Sequence, residues 1–511
     1  MRTKYLLIAV CLAAALFALS GCGAKETGSR DNLVVIANAF PPTLDPVMIN
    51  AAASAEIYMQ IYDTLFAQDF ETLVPYPSLV ESYRFEQDDA GNTTRLRLVL
   101  KRGVLFHNGE ELKASDVKFS LDRAAASQHV SHIAGSIEGV DVLGEYEVMI
   151  RMVAPFAPIL NNLAHPTMSI VNEKAVTEAG SSYAQNPVGT GPMRLERMVV
   201  GYSIELTRFD GYRGPAPRIK DITIRYIADQ ATAFLELETG GADILINVMP
   251  QDIRRVQADP NLRLAGSADL RLNYLGFNAR KPPFDDPRVR RAISHAVDTD
   301  ALVQAVFQGV GNTGTAPLSR TVWSSAAGTL PQYEYDPELA RRLLAEAGFP
   351  DGFSTHIYST NDRPDVRDTA VVVQGMLAEV GIDADIQVFE WATYLDLTAE
   401  GEHDMFLLGW TTVTGDPDYG LEIFHSRSFG PGGNRTFWAN PEVDRLLDAG
   451  RSEIDVDRRE AIYLEAQRLI HAEAPIIYTQ EGEVTVGLRA NVKGFTVDPA
   501  RHHPYWNVWF E

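Results

Sequence analysis

The chain has 511 residues, too many for one ordinary hydrophobic core, so two or three lobes are expected. Hydrophobic residues make up 45% and charged residues 22%, the balance of a globular protein without disordered or collagen-like bias. A formal net charge of −23, with no cluster of lysine and arginine, excludes nucleic acid as a partner; the acidic excess serves solubility, with a weak preference for cationic ligands.

Arg2 and Lys4 precede the apolar run "YLLIAVCLAAALFAL", the charged head and hydrophobic middle of a secretion signal over residues 1–21. The run is too short, and polar residues follow too soon, for a comfortable membrane span. It ends in "LSGC", Leu19 to Cys22, which resembles the lipobox of bacterial lipoproteins and implies cleavage before Cys22 and lipid on its thiol. Cys11 lies inside the signal, so Cys22 would be the sole cysteine of the mature chain, which excludes disulfides and thiol catalysis. The small and polar residues 22–32 read as a flexible tether.

Further on, strands and helices alternate, with no fixed-period repeat and no second apolar stretch of membrane-spanning length. "RLRLVL" (Arg95–Leu100) sets Leu96, Leu98 and Leu100 on one face of a strand, and "KDITIRYI" (Lys220–Ile227) does the same with Ile222, Ile224 and Tyr226. Asp286, Asp336 and Asn440 each stand before a proline, the pattern of a capping side chain ahead of a first-turn proline. Gly348 and Gly450 fall where helix C-termini are expected. "STHIYST", "DVRDTAVVVQGMLAEVG" and "IDADIQVFE" read as strand, amphipathic helix and strand, a βαβ crossover in a parallel sheet. The fold class is α/β with more than one lobe, and ligands on such sheets sit beyond the carboxyl ends of strands, often between lobes. The loop "GWTTVTGDPDYG" (Gly409–Gly420) follows the strand-like "DMFLLGW" and occupies such a place.

Enzyme signatures are absent: no phosphate loop, HExxH, GxSxG elbow or dinucleotide fingerprint is present. His502 and His503 are adjacent, too few to make a zinc site. "DPD" (Asp416–Asp418) lacks the glycine and distal glutamate of a calcium loop. No metal and no cofactor are expected.

Five segments in order then carry a resemblance. They are "PPTLDP" (Pro41–Pro46), "LKRGVLFHNGEELKASDVKFSLDRA" (Leu100–Ala124), "NPVGTGPMRL" (Asn186–Leu195), "NYLGFNARKPPFDDPRVRRAISHAVD" (Asn273–Asp298) and the "GW…GDPD" loop. From about residue 33 onward the chain resembles the bacterial extracellular solute-binding proteins of family 5, receptors of importers for dipeptides, oligopeptides, glutathione and nickel complexes. The resemblance implies a bilobal, type II periplasmic-binding-protein-like fold. Lobe I would hold residues 33–270 and 488–511, with an inserted subdomain over about 60–185, and lobe II residues 271–487. Two crossings between lobes would fall near 265–275 and 482–492.

Ligand-binding residues follow from the same resemblance. Pro41, Pro42, Thr43 and Leu44 match a strand end that offers backbone contacts, and Asn273 and Tyr274 open a hallmark segment. Trp391 matches a tryptophan lining a side-chain pocket, with packing under a loop as its alternative role; Trp410 precedes the ligand-contacting loop. Arg363 resembles the arginine that clamps a ligand carboxylate, a task suited to a planar guanidinium, with Arg367 and Arg435 as rivals.

Peptide receptors of the family usually carry an aspartate three residues after the second tryptophan, to pair with the ligand's ammonium. Here that position is Val413, so either Asp416 or Asp418 reaches in, or the ligand has no ordinary free N-terminus. The hydroxyls of Thr411, Thr412 and Thr414 would grip a polar ligand, and the loop looks closer to the glutathione-receptor form. The expected protein is a monomeric, non-enzymatic, lipid-anchored receptor facing the periplasm or cell exterior. It would deliver a peptide or peptide-like solute to the permease and ATPase subunits of an ABC importer. A nickel-chelate or haem receptor on the same fold is the alternative, and a hydrolase using the two aspartates a more distant one.

Overall fold

The computed structural model describes residues 31–361 and 363–511, so the signal, Cys22 and most of the tether lie outside the described residues. Ten strands build one mixed sheet: β1 (Asn32–Ala37), β2 (Met193–Val199), β3 (Ser203–Arg208), β4 (Asp221–Tyr226), β5 (Ile244–Ile246), β6 (Leu262–Phe277), β7 (Phe353–Thr360), β8 (Ile382–Phe389), β9 (Met405–Thr411) and β10 (Ile476–Arg489). Their spatial order is β8-β7-β9-β6-β10-β5-β1-β4-β3-β2. Two strands are far longer than the rest, β6 with 16 residues and β10 with 14, and they pair antiparallel along most of their length. One end of this pair lies beside β5 and the other beside β9, so the same two strands serve both halves of the sheet. The pairing is irregular in between, with register shifts between Ala268 and Leu272.

Separate cores flank this shared pair. Leu33, Ile222, Ile224 and Val486 belong to the core of the first lobe; Phe277, Ile293, Ile357 and Met405 to one of the second. A further antiparallel sheet of four strands, Val80–Glu86, Arg95–Leu100, Glu147–Met152 and Ile137–Gly144, forms its own core against the helix Ala114–Ala126. Leu96, Leu98 and Leu100 are fully buried there, as the alternation predicts, each contributing about 2 kcal/mol of hydrophobic transfer.

The helix starts are as read. Asp286 accepts from the Arg288 amide at 2.8 Å, Asp336 from Leu339 at 2.8 Å and Asn440 from Glu442 at 2.9 Å, each before its proline. The crossover is also present, β7 and β8 pairing in parallel around the helix Pro364–Glu379. The sheet as a whole is mixed, however, because β6 and β10 run antiparallel to their neighbours. Gly348 has a φ of +101° just past its helix, the left-handed position that glycine takes without cost. Gly450 departs from expectation: it lies inside the helix Pro441–Ser452 rather than after it. A Cβ there would stand 2.7 Å from ring carbons of Tyr463, so the glycine allows close approach of the helix Val456–Glu473.

Candidate functional site

Two cavities open between the halves, one on either side of the chain that leaves β9. The smaller, about 420 Å³, is bordered by Asn50, His165 and His502 from the first lobe and by Arg363, Thr411 and Val413 from the second, with Asp269 and Arg271 of β6 between them. The larger, about 620 Å³, has Ser136 and Phe156 on one side and Trp410, Thr414, Asp418 and Arg451 on the other. Thr411 and Val413 border the smaller cavity, while Trp410 and Thr414 border the larger. Thr412 is buried and borders neither. Val413 also packs on the core of the four-stranded subdomain, and the Thr414 carbonyl accepts from Gln68 at 2.5 Å. At the opposite margin the Ala157 amide donates to the Arg451 carbonyl at 2.7 Å, so the halves are in contact around the cavities.

Trp410 is fixed by its indole N–H, which donates to the Tyr419 carbonyl at 3.1 Å, and by stacking on the Tyr419 ring. Trp391 stacks on Tyr394 with centroids 5.7 Å apart and borders neither cavity, although 36% of it is exposed. Pro41, Pro42, Thr43 and Leu44 also stand back from both linings. The Thr43 carbonyl accepts from Ser54 and Tyr58, and the Leu44 carbonyl from Tyr62. Asn273 bonds Gln480 at 2.8 Å and, with buried Tyr274, lines only a minor crevice. Among the three arginines left open by the sequence, Arg363 borders the smaller cavity; Arg367 is exposed on its helix, and Arg435 bonds Thr398.

Both aspartates of the loop are already engaged. Asp416 is fully buried, borders neither cavity, and binds the Arg459 guanidinium through both oxygens. It also caps the short helix Pro417–Leu421 by accepting from the Asp418 amide at 2.9 Å. Asp418 faces the larger cavity but holds Arg451 at 2.9 and 3.0 Å. The proposed ammonium partners are thus parts of the loop's own framework in this arrangement.

Apart from Arg363, the charges that line the smaller cavity escaped the sequence reading. Arg271 projects from β6, and its guanidinium lies over Gly409, the glycine of β9 paired with Asn273: a Cβ on Gly409 would come within 2.4 Å of an Arg271 terminal nitrogen. Burial, then the adjacent Arg363 charge, lowers the pKa of Arg271, yet a guanidinium stays protonated at any physiological pH. Arg501 reaches Asp269 at 2.6 Å and Asn247 at 2.6 Å. His165 and His502 stand edge to face at 6.1 Å, and burial pushes both below the ordinary imidazole range, so they add no charge at neutral pH. The only sequence signal for Arg271 was an arginine in an otherwise apolar alternation, which reads equally as a solvent-facing position. Among the described residues, no three His, Cys, Asp or Glu side chains converge as a metal site, and no helix is long and apolar enough to cross a membrane.

Two lobes sharing a pair of long strands, with a polar cavity between them, define a solute-binding protein of the periplasmic type. The model of the bacterial extracellular solute-binding proteins, family 5 Middle, matches residues 74–431. Over 94% of both chains the sequence is 30% identical to the dipeptide-binding protein of Escherichia coli strain K12. It is also 30% identical to the glutathione-binding protein GsiB of Salmonella choleraesuis, over 92% of this chain and 93% of that one. HbpA2 from Haemophilus parasuis superimposes with a TM-score of 0.87 at 28% identity, covering 94% of this chain and all of that one. DppA from Helicobacter pylori, in complex with the peptide STSA, gives 0.75 at 29%, with 96% and 100% covered. The chain belongs to family 5 of the bacterial extracellular solute-binding proteins.

Proposed function

We propose that this protein captures a small peptide or peptide-like solute between its lobes and delivers it unchanged to the permease of an ABC importer. The observation that carries the reading is the 420 Å³ cavity spanning both halves, with the Arg363 guanidinium at its edge and hydroxyl-bearing Thr411 beside it. A guanidinium suits a carboxylate because it donates two parallel hydrogen bonds. Membership of a family whose relatives are named for dipeptides and glutathione supports the same ligand class.

In this reading residues 33–270 with 488–511 form lobe I and 271–487 form lobe II. They close over the ligand by rotation about the two long strands. Arg363, Thr411 and Val413 contact the ligand, with Trp410 setting the loop. Residues 1–21 are a cleaved signal, and Cys22 carries the lipid that holds a monomeric receptor at the periplasmic or outer face of a membrane. ATPase subunits drive the permease, and the receptor performs no chemistry.

The test is mass spectrometry of whatever co-purifies with protein from its native host, followed by incubation of that compound with the purified receptor. A peptide-like compound recovered intact supports the reading. A cleaved compound overturns it in favour of a hydrolase, and a metal chelate or haem overturns the ligand class.

A further inference from the structure

The smaller cavity carries more positive charge than a zwitterionic peptide would balance. Its lining holds Arg271, Arg363 and Arg501 against a single carboxylate, Asp269, while the two histidines are neutral. Arg501 is committed to Asp269, and Arg363 lies on Asp365 with both atoms of its fork at 2.5 and 3.0 Å. Arg271 differs. Its Nε donates to Asn273 at 3.0 Å, its two terminal nitrogens make no hydrogen bond among the described residues, and no carboxylate lies within ion-pair distance of it there. A half-buried guanidinium beside a second one, eased only at longer range by Asp269 and Asp365 and bonded to neither, gains from an arriving anion. Where a ligand ammonium would need a carboxylate, the same cavity offers the aliphatic side chain of Val413. Both departures favour ligands of the same sign.

We propose that Arg271 is a specificity-determining residue that receives a second ligand carboxylate alongside the one held by Arg363. The receptor would therefore select small peptides with a carboxylate side chain over neutral ones. The inference rests on the reading of this cavity as the peptide site. It also reverses, locally, what the overall acidic charge suggests: the whole surface is negative, but the cleft is not. Gly409 supports the role by leaving the guanidinium room to lie across β9.

Titration calorimetry with matched di- and tripeptides ending in glutamate or in glutamine tests the proposal, because each pair differs in one charge at constant shape. Wild-type protein is expected to bind the glutamate member about tenfold tighter or more, as a charge-assisted pair in a partly desolvated site should. Arg271→Gln is expected to abolish that preference while leaving affinity for the glutamine peptides within about twofold, and Arg271→Lys to restore part of it. Equal wild-type affinity for both members overturns the inference and leaves the peptide-receptor reading standing. So does an Arg271→Gln loss that is the same for both members, since a merely structural arginine would produce that. If no peptide of either series binds to folded wild-type protein, the peptide-receptor reading falls and the inference falls with it.

Discussion

Both carboxylate oxygens of Asp416 are held by the guanidinium of Arg459, at 2.7 and 2.8 Å, with the two side chains almost wholly shielded from water. The pair joins the loop after β9 to the helix Val456–Glu473. Removing one partner strands a buried charge, so Asp416→Asn and Arg459→Met should each lower unfolding free energy by about 3–5 kcal/mol. Denaturant titration measures this. A large loss of ligand affinity at unchanged stability would return Asp416 to the binding site instead.

Val413→Asp should move the ligand preference toward zwitterions. The new carboxylate would share a cavity with Arg271 and Arg363, cancelling one positive charge and offering a partner to an ammonium. Neutral dipeptides should gain affinity and diacidic ones lose it, each by about tenfold. Calorimetry showing both ligands shifted in the same direction would contradict this.

Glu56 makes stability fall with rising pH. It is buried beside Tyr505, and burial raises its pKa from 4.5 to about 7 against the opposing pull of the Tyr505 hydroxyl and Arg501. Folding therefore favours the protonated acid. The stabilising share is full below pH 4.5, drains as the unfolded chain ionises first, and is gone above about 7. Glu56→Gln keeps an acceptor for Tyr505 without that ionisation. It should match wild type near pH 4 and exceed it by about 3 kcal/mol at pH 8. Thermal melts across that range provide the check, and parallel pH profiles for the two proteins would rule the account out.

Gly450→Ala and Gly375→Ala should have opposite signs although both residues lie inside helices. A methyl on Gly450 meets the Tyr463 ring at 2.7 Å, and overpacking costs about 1–3 kcal/mol, more than the gain in helix propensity. Gly375 is exposed, with nothing within 4 Å of its would-be Cβ, so alanine there should stabilise by about 0.5–1 kcal/mol. Paired melting curves would show it; destabilisation by both would mean that propensity and space were misjudged.

Cys22→Ala should shift the protein from the membrane fraction to the soluble one, because a single thiol would carry the anchor. Fractionation with equal membrane retention of both forms would remove lipidation from the account.

Local signals in the sequence sufficed for what local physics decides. The capping residues Asp286, Asp336 and Asn440 and the buried face of Arg95–Leu100 depend on neighbours within one turn or one strand, and the β7–β8 crossover on one continuous strand–helix–strand run. The site was less legible because its logic is long-range. Asp416 and Asp418 look like free loop carboxylates until Arg459 and Arg451 arrive from 43 and 33 residues further on. Gly450 looks like a helix stop until the neighbouring helix supplies Tyr463. Arg271 gains its meaning only when β9 is laid beside β6 and Gly409, the partner of Asn273, leaves room for its guanidinium.

Arg271 belongs to β6, within the interrupted stretch of its pairing with β10, and so sits almost on the axis about which the lobes would turn. A point near a pivot travels little while the rim sweeps through a long arc. An anion resting on Arg271 would keep nearly the same neighbours whether the cleft gapes or is shut, whereas His165 and Phe156, carried at the end of the arm, arrive late. Capture would then be ordered in time: charge would be recognised in the open cleft, and shape checked only as it shuts. A ligand of the wrong charge would be turned away before any rotation begins.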